Sequence, residues 1–220
     1  MCGRAASFYQ ELEGFLDERD QVLEAQDNYN IPPSAMMPVI VNEEGKRKLK
    51  SMQWWLIPQW AKSTKMEYKT FNARTESAHE KPSFRQAYKQ RRCLVPVSGY
   101  YEWKGVKGSK QPYFIHKPSG GPMCFAGLWE RWQQGDEPEL FSFTIITTPA
   151  TKKMNALHSR MPVWLEPQHH REWLNPEIQD VSEIQGLLEN ASDDFEYYPV
   201  SSYMNGTTNN GARCIERVQA

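Results

Sequence analysis

The chain has 220 residues, of which 39% are hydrophobic and 24% charged, ordinary values for a globular protein large enough to bury a core without disulfide or metal support. No run of about 18 apolar residues is present and no apolar segment opens the chain, so neither a transmembrane helix nor a signal peptide is expected. The net charge of −1 argues against a uniformly basic nucleic-acid binder, and Cys2, Cys93, Cys124 and Cys214 contain no C-x-x-C pair, which fits reduced thiols in a cytoplasmic protein and gives no zinc or thioredoxin-like site.

No Pro/Gly/Ser-rich linker divides the chain, so a single domain over residues 1–220 is expected. A helical pattern opens at Ser7, an N-cap candidate, with Phe8, Leu12, Phe15, Leu16 and Leu23 on one face. The paired Pro32 and Pro33 make residues 30–33 a loop. Residues 37–41 and 49–57 read as strands joined by a turn at 43–45. A short helix is expected over 82–89, with proline in its first turn. Strands follow at 93–97, 100–104, 111–116, 123–132 and 140–148, with a glycine- and lysine-rich hairpin loop at 105–110. A short strand at 161–165, helices at 167–174 and 181–189, and a strand at 197–201 complete the chain. Many strands with three or four peripheral helices, and no βαβ alternation, indicate an α+β fold around antiparallel sheet.

Charge is unevenly placed. Residues 44–113 hold sixteen Lys/Arg and five Asp/Glu, a net +11, while the flanking segments carry −6 each. A basic middle between acidic ends is the asymmetry of a nucleic-acid-binding face, or of a lysine-rich surface balanced by neighbouring acids.

Cys2 is the first candidate for chemistry. Removal of Met1 leaves it with a free α-amine (ordinary pKa about 7.7–8.0) and a thiol (about 8.5), both partly nucleophilic at neutral pH. A 1,2-aminothiol condenses with an aldehyde to an imine and then closes a thiazolidine. The ring-opened sugar of an abasic site offers that aldehyde. The plain alternative is an incidental second residue, and Met-Cys-Gly also opens class II glutamine amidotransferases. In Phe71-Asn72-Ala73-Arg74-Thr75-Glu76, Asn72 can orient an amine and Arg74 can grip phosphate; otherwise Asn72 caps a helix. Glu102, between Tyr101 and Trp103, is a candidate general acid/base, expected to be desolvated by those two rings. Its alternative is an exposed strand position. Trp103 is a base-stacking candidate or a core residue. His158, beside Arg160 in a loop, can shuttle protons near neutral pH.

Taken together, Met1-Cys2-Gly3-Arg4, Tyr29-Asn30-Ile31-Pro32-Pro33, Trp54-Trp55-Leu56-Ile57-Pro58-Gln59-Trp60, Asn72-Ala73-Arg74-Thr75-Glu76, Arg92-Cys93-Leu94-Val95-Pro96, Gly99-Tyr100-Tyr101-Glu102-Trp103, His158-Ser159-Arg160-Met161-Pro162 and Pro199-Val200-Ser201 resemble, nearly end to end, the SOS response-associated peptidase family of abasic-site processing proteins. Trp55 departs from the glycine usual there, and Pro32-Pro33 from an Ala-Pro type of pairing. The resemblance implies a curved, barrel-like antiparallel sheet with peripheral helices and a basic single-strand-binding groove. It implies a catalytic set of Cys2, Asn72, Glu102 and His158, and DNA contacts by Arg4, Asn30, Trp60, Arg74, Arg85, Trp103 and Arg160. The function implied is covalent capture of abasic sites in single-stranded DNA through Cys2, with self-removal of Met1 and abasic-site lyase activity. It further implies a monomer, associated with the nucleoid when bound to DNA, with partners at replication forks.

Three other readings stand beside this one. A cysteine peptidase would use Cys2, Glu102 and His158, but a peptide substrate does not account for the +11 segment. An N-terminal-nucleophile glutaminase would use Asn205-Gly206, but needs two stacked sheets between helix layers. A non-catalytic single-strand-binding module would bind reversibly, in a salt-dependent way, regardless of damage. No cofactor, metal or membrane partner is expected, since no ligand cluster or apolar span exists.

Overall fold

The computed structural model describes residues 2–8, 26–106 and 108–219. In chain order the strands are β1 (Ala5–Ser7), β2 (Asn28–Ile31), β3 (Met36–Glu43), β4 (Lys46–Trp54), β5 (Asn72–Arg74), β6 (Arg92–Val97), β7 (Gly99–Val106), β8 (Ser109–His116), β9 (Met123–Trp132), β10 (Leu140–Pro149), β11 (Arg160–Pro162), β12 (Trp164–Leu165) and β13 (Glu196–Pro199). The helices are α1 (Arg85–Gln90), α2 (Pro167–Trp173) and α3 (Val181–Leu188).

Five strands close into a barrel in the order β4-β3-β6-β9-β10, with β10 returning to β4. The fold is α+β with a curved, barrel-like sheet, as expected, but one strand departs from the antiparallel rule. β10 runs parallel to β4 (Ser142 opposite Gln53) and then, further along the same edge, parallel to β5 (Ile145 opposite Asn72). The chain leaves β4 at Trp54, loops out, and returns at Asn72 in the same direction, so the end of β4 and the short β5 share one edge of β10.

Side-chain alternation explains the core. On β6 and β9, Cys93, Val95, Val97, Met123 and Phe125 turn into the barrel with Trp54 and Phe143. Leu94, Cys124, Ala126 and Leu128 turn out beneath the helices, against Tyr88, Trp173 and Ile184. Both faces are therefore buried, and the strands read as continuous apolar runs. Arg92 locks α1 and α2 to this wall, donating to the carbonyls of Tyr88 (3.0 Å), Lys89 (2.8 Å) and Trp173 (2.7 Å).

A second, wholly antiparallel sheet has the order β13-β8-β7-β1-β2. Three local expectations are corrected. Ser7 ends β1 instead of capping a helix, and residues 9–23 of the expected helix lie outside the described residues. Residues 28–31 pair with β1 as a strand, so the Pro32-Pro33 turn starts later than expected. The strand expected at 161–165 is two, because the chain changes partner at Val163: β11 pairs with β10 and β12 with β9.

Candidate functional site

The two sheets meet at Cys2. The Tyr101 N–H donates to the Arg4 carbonyl at 3.0 Å, which lays the N-terminal segment along β7. Cys2 is fully buried. Asn72, the first residue of β5, reaches it from the barrel: Nδ2 donates to the Cys2 carbonyl oxygen at 2.7 Å. The other amide atom, Asn72 Oδ1, is buried and has no hydrogen-bond partner among the described residues.

Glu102 is buried on β7. Strand alternation puts it on the face of Tyr100, which packs in the same cluster as Cys2, and turns Tyr101 away to pack with Ala6 and Phe114 and Trp103 against that cluster. The expected desolvation of Glu102 by Tyr101 and Trp103 is therefore corrected; its same-face neighbour is Tyr100. Burial pushes the Cys2 thiol well above the ordinary thiol range, and the Glu102 carboxylate pushes it the same way. The Tyr100 phenol is raised by burial, then by Glu102 and Cys2. At neutral pH the thiol keeps its proton, and a carboxylate stands close enough to influence it.

The backbone of His158 is linked to this cluster through Met154. Its N–H donates to the Met154 carbonyl at 3.1 Å, and the Met154 sulfur accepts from the Tyr100 hydroxyl at 3.6 Å. His158 Nδ1 lies 3.0 Å from the Arg160 N–H and 3.2 Å from the Arg160 carbonyl oxygen, so the Arg160 backbone holds the ring by this nitrogen.

The residues expected to contact DNA fall into two groups. Arg74 and Arg85 are exposed, and so is Trp60. A cleft of about 450 Å³ lined by Tyr68, Lys69, Thr70, Asn72, Arg74, Lys81, Ser83 and Phe84 runs up to the catalytic asparagine candidate. The others are engaged within the chain. Arg4 is only 9% exposed; it donates to Asn30 Oδ1 at 2.7 Å and to the Met204 carbonyl at 3.2 Å. Asn30 donates in turn to the carbonyls of Met204, Gly206 and Asn209, so this pair ties the N-terminal strands to the C-terminal loop. Arg160 forms a bidentate pair with Glu76 at 2.7 and 2.9 Å. Trp103 Nε1 donates to Asn205 Oδ1 at 2.8 Å.

The basic segment does not form one face. Lys46 and Arg47, at the hairpin end of β4, border a separate cleft against Arg171 and Glu172. Among the described residues, no three His, Cys, Asp or Glu side chains are grouped to hold a metal, and no helix is long and apolar enough to cross a membrane.

The family model described as SOS response associated peptidase (SRAP) matches residues 1–207. The chain belongs to the SRAP family. Abasic site processing protein YoqW of Bacillus subtilis is 40% identical over 223 residues, covering 98% of this chain and 99% of the relative. Abasic site processing protein HMCES of Xenopus tropicalis is 31% identical, covering 88% of this chain and 67% of the relative. A crystal structure of a protein from Bacteroides thetaiotaomicron superposes with a TM-score of 0.82 at 26% identity, covering 98% of this chain and 97% of that one. Within the SRAP frame the Trp55 departure is filled by packing, its ring lying 5.2 Å from that of Phe71. Tyr100, Tyr68, Lys69 and Lys81 were not singled out from the sequence. Only Tyr100 carried a signal there, two residues before Glu102 on an alternating strand.

Proposed function

We propose that the chain processes abasic sites in single-stranded DNA by capturing them covalently through Cys2. The observation that carries this reading is that Asn72, which lines a cleft with Lys69, Arg74 and Lys81, donates to the carbonyl of the buried Cys2, whose thiol feels the Glu102 carboxylate.

Hydrolysis of the Met1–Cys2 bond frees the α-amine. The amine adds to the C1 aldehyde of the ring-opened sugar, and water leaves to give an imine. The Cys2 thiol then adds across the C=N bond: sulfur bonds to carbon and the thiol proton ends on nitrogen. The net change from amine, thiol and aldehyde to thiazolidine is loss of one water. Because the thiol is protonated at rest, its addition needs a proton carrier, a role assigned to the buried Glu102, whose charge reaches the thiol. Asn72 holds the Cys2 carbonyl and so fixes the amine and thiol attached to the same residue. His158, held at Nδ1 by the Arg160 backbone, is assigned to opening of the sugar and to the lyase step. Arg74, Lys69 and Lys81 take the phosphates, and Trp60 and Arg85 the adjoining strand. Arg4 and Asn30 act in this reading by holding the N-terminal strands in place. The protein is expected to work as a monomer in the cytoplasm, on the nucleoid, with partners at replication forks.

The test is a denaturing gel of protein incubated with single-stranded DNA carrying one abasic site. A shifted band for wild type alone, absent with undamaged DNA and with Cys2→Ala, supports capture. No band from protein whose intact mass shows Met1 removed sinks it and leaves the peptidase reading.

A further inference from the structure

We infer that Tyr68 stacks on a base next to the abasic site and makes capture depend on the identity of that neighbour; this rests on the single-strand reading above. The loop between β4 and β5 carries two aromatic rings that remain exposed, Trp60 (56%) and Tyr68 (47%). Each is tied down at its polar end. Trp60 Nε1 donates to the Pro82 carbonyl at 3.2 Å, and the Tyr68 hydroxyl lies 3.3 Å from Ser83 Oγ. Consecutive residues thus hold two rings by their edges. A ring fixed in this way loses little further freedom on stacking, which favours binding through its face.

The place of Tyr68 gives that face a ligand. It lines the cleft with Lys69, Arg74 and Lys81, whose charges suit phosphates, and with Asn72, which touches Cys2. An abasic nucleotide has no base of its own, so any stacking must come from its neighbours. Stacking tolerates every base but follows the size of its π-face, so a purine neighbour is held better than a pyrimidine.

The experiment measures adduct formation at subsaturating DNA on strands whose abasic site is flanked by adenines, by thymines, or by tetrahydrofuran gaps, which lack both a base and an aldehyde. Wild type is expected to react fastest beside adenine and slowest beside the gap, with a spread on the order of 5-fold, the scale of one stacked base. Tyr68→Ala should lose most of that spread, whereas Tyr68→Phe, which gives up only the Ser83 contact, should keep it. With 2-aminopurine beside the abasic site, binding should quench its fluorescence in wild type and Tyr68→Phe but not in Tyr68→Ala. Capture by wild type that ignores its neighbours, or a spread and quench unchanged in Tyr68→Ala, overturns the inference. If no strand is captured by Met1-free protein, the capture reading fails instead. The quench on the non-covalent complex then still decides for or against Tyr68.

Discussion

Asn72 Nδ2 donates to the carbonyl oxygen of Cys2 at 2.7 Å, a hydrogen bond that joins β5 of the barrel sheet to the segment leading into β1 of the second sheet. It holds the residue that bears both proposed nucleophilic groups, the amine on Cα and the thiol on Cβ. Asn72→Ala removes that hold and is expected to slow adduct formation by about 10²-fold, the scale of a lost positioning contact. The fold should weaken by only about 1 kcal/mol, as for one hydrogen bond. Asn72→Asp should be no better, because it turns an acceptor toward an acceptor and adds a charge beside a thiol already pushed up by burial and by Glu102. Single-turnover kinetics with urea melts of the same variants check this. Loss of rate that merely tracks loss of folded protein would refute it.

Glu76 and Arg160 give a pH and salt signature. The Arg160 guanidinium holds the Glu76 carboxyl at about 2, against an ordinary value of about 4.3. A lowered carboxyl contributes stability above its unfolded pKa and loses it as pH falls through the folded one. The acid limb attributable to this pair should therefore lie between about pH 4.3 and 2, and be shallower in Glu76→Gln. The buried thiols of Cys2, Cys93 and Cys124 act in the opposite sense, being raised by burial. Their contribution is complete below the ordinary thiol value of about 8.5 and declines above it. Melting temperature against pH for wild type and Glu76→Gln reads both limbs. The same variant releases Arg160 toward phosphate, so its single-strand affinity should rise and its log–log salt slope steepen by about 0.7. An unchanged slope would mean that Arg160 stays on Thr147, its other partner.

Much of the fold is legible in the sequence, and the departures have local causes. β9 falls on residues 123–132, as its apolar run and bounding turns indicate. Cys2, Asn72, Glu102 and His158 could be named as candidates because their motifs, weak one by one, together resemble the SRAP family. The register of Glu102 with Tyr100 was also available from period-two alternation, yet sequence adjacency drew attention to Tyr101 and Trp103, which point elsewhere. The parallel pairings of β10 were hidden, since nothing in residues 55–71 announces a return to the same sheet edge. The +11 segment was misleading as a single face. Lys46 and Arg47 lie at the hairpin end of β4, and Lys69, Arg74 and Lys81 at a different cleft, a division set by topology.

Gly127 marks where the barrel closes. A Cβ there would lie 2.9 Å from Cys93 Sγ and 3.0 Å from both the Thr144 carbonyl oxygen and Val95 Cγ2, so β6, β9 and β10 approach closely only around a residue without a side chain. Gly127→Ala is expected to cost about 1–3 kcal/mol, the range for overpacking a filled core. Urea unfolding monitored by tryptophan fluorescence measures it. A neutral result would show that the Cys93 side chain yields without moving the backbone, and Cys93→Ala in the same background would then make no difference. If the cost appears, Cys93→Ala should recover part of it.

Lys69 and Lys81 separate binding from chemistry. Both line the cleft beside Asn72, and neither is placed in contact with Cys2 or Glu102. Removing one cation that neutralises a single-strand phosphate should lower the slope of log affinity against log salt by about 0.7 per contact. Lys81→Ala and Lys69→Ala are therefore expected to weaken binding of undamaged and abasic strands alike, most visibly at low salt. The rate of adduct formation at saturating DNA should remain at the wild-type value, because the groups that move protons and bonds are untouched. Fluorescence anisotropy over a salt series, beside single-turnover capture at saturation, measures the two quantities independently. A normal salt slope in both variants would remove the cleft from the DNA path. A fall in the saturated rate would mean instead that the lysines hold the abasic sugar itself in register with Cys2.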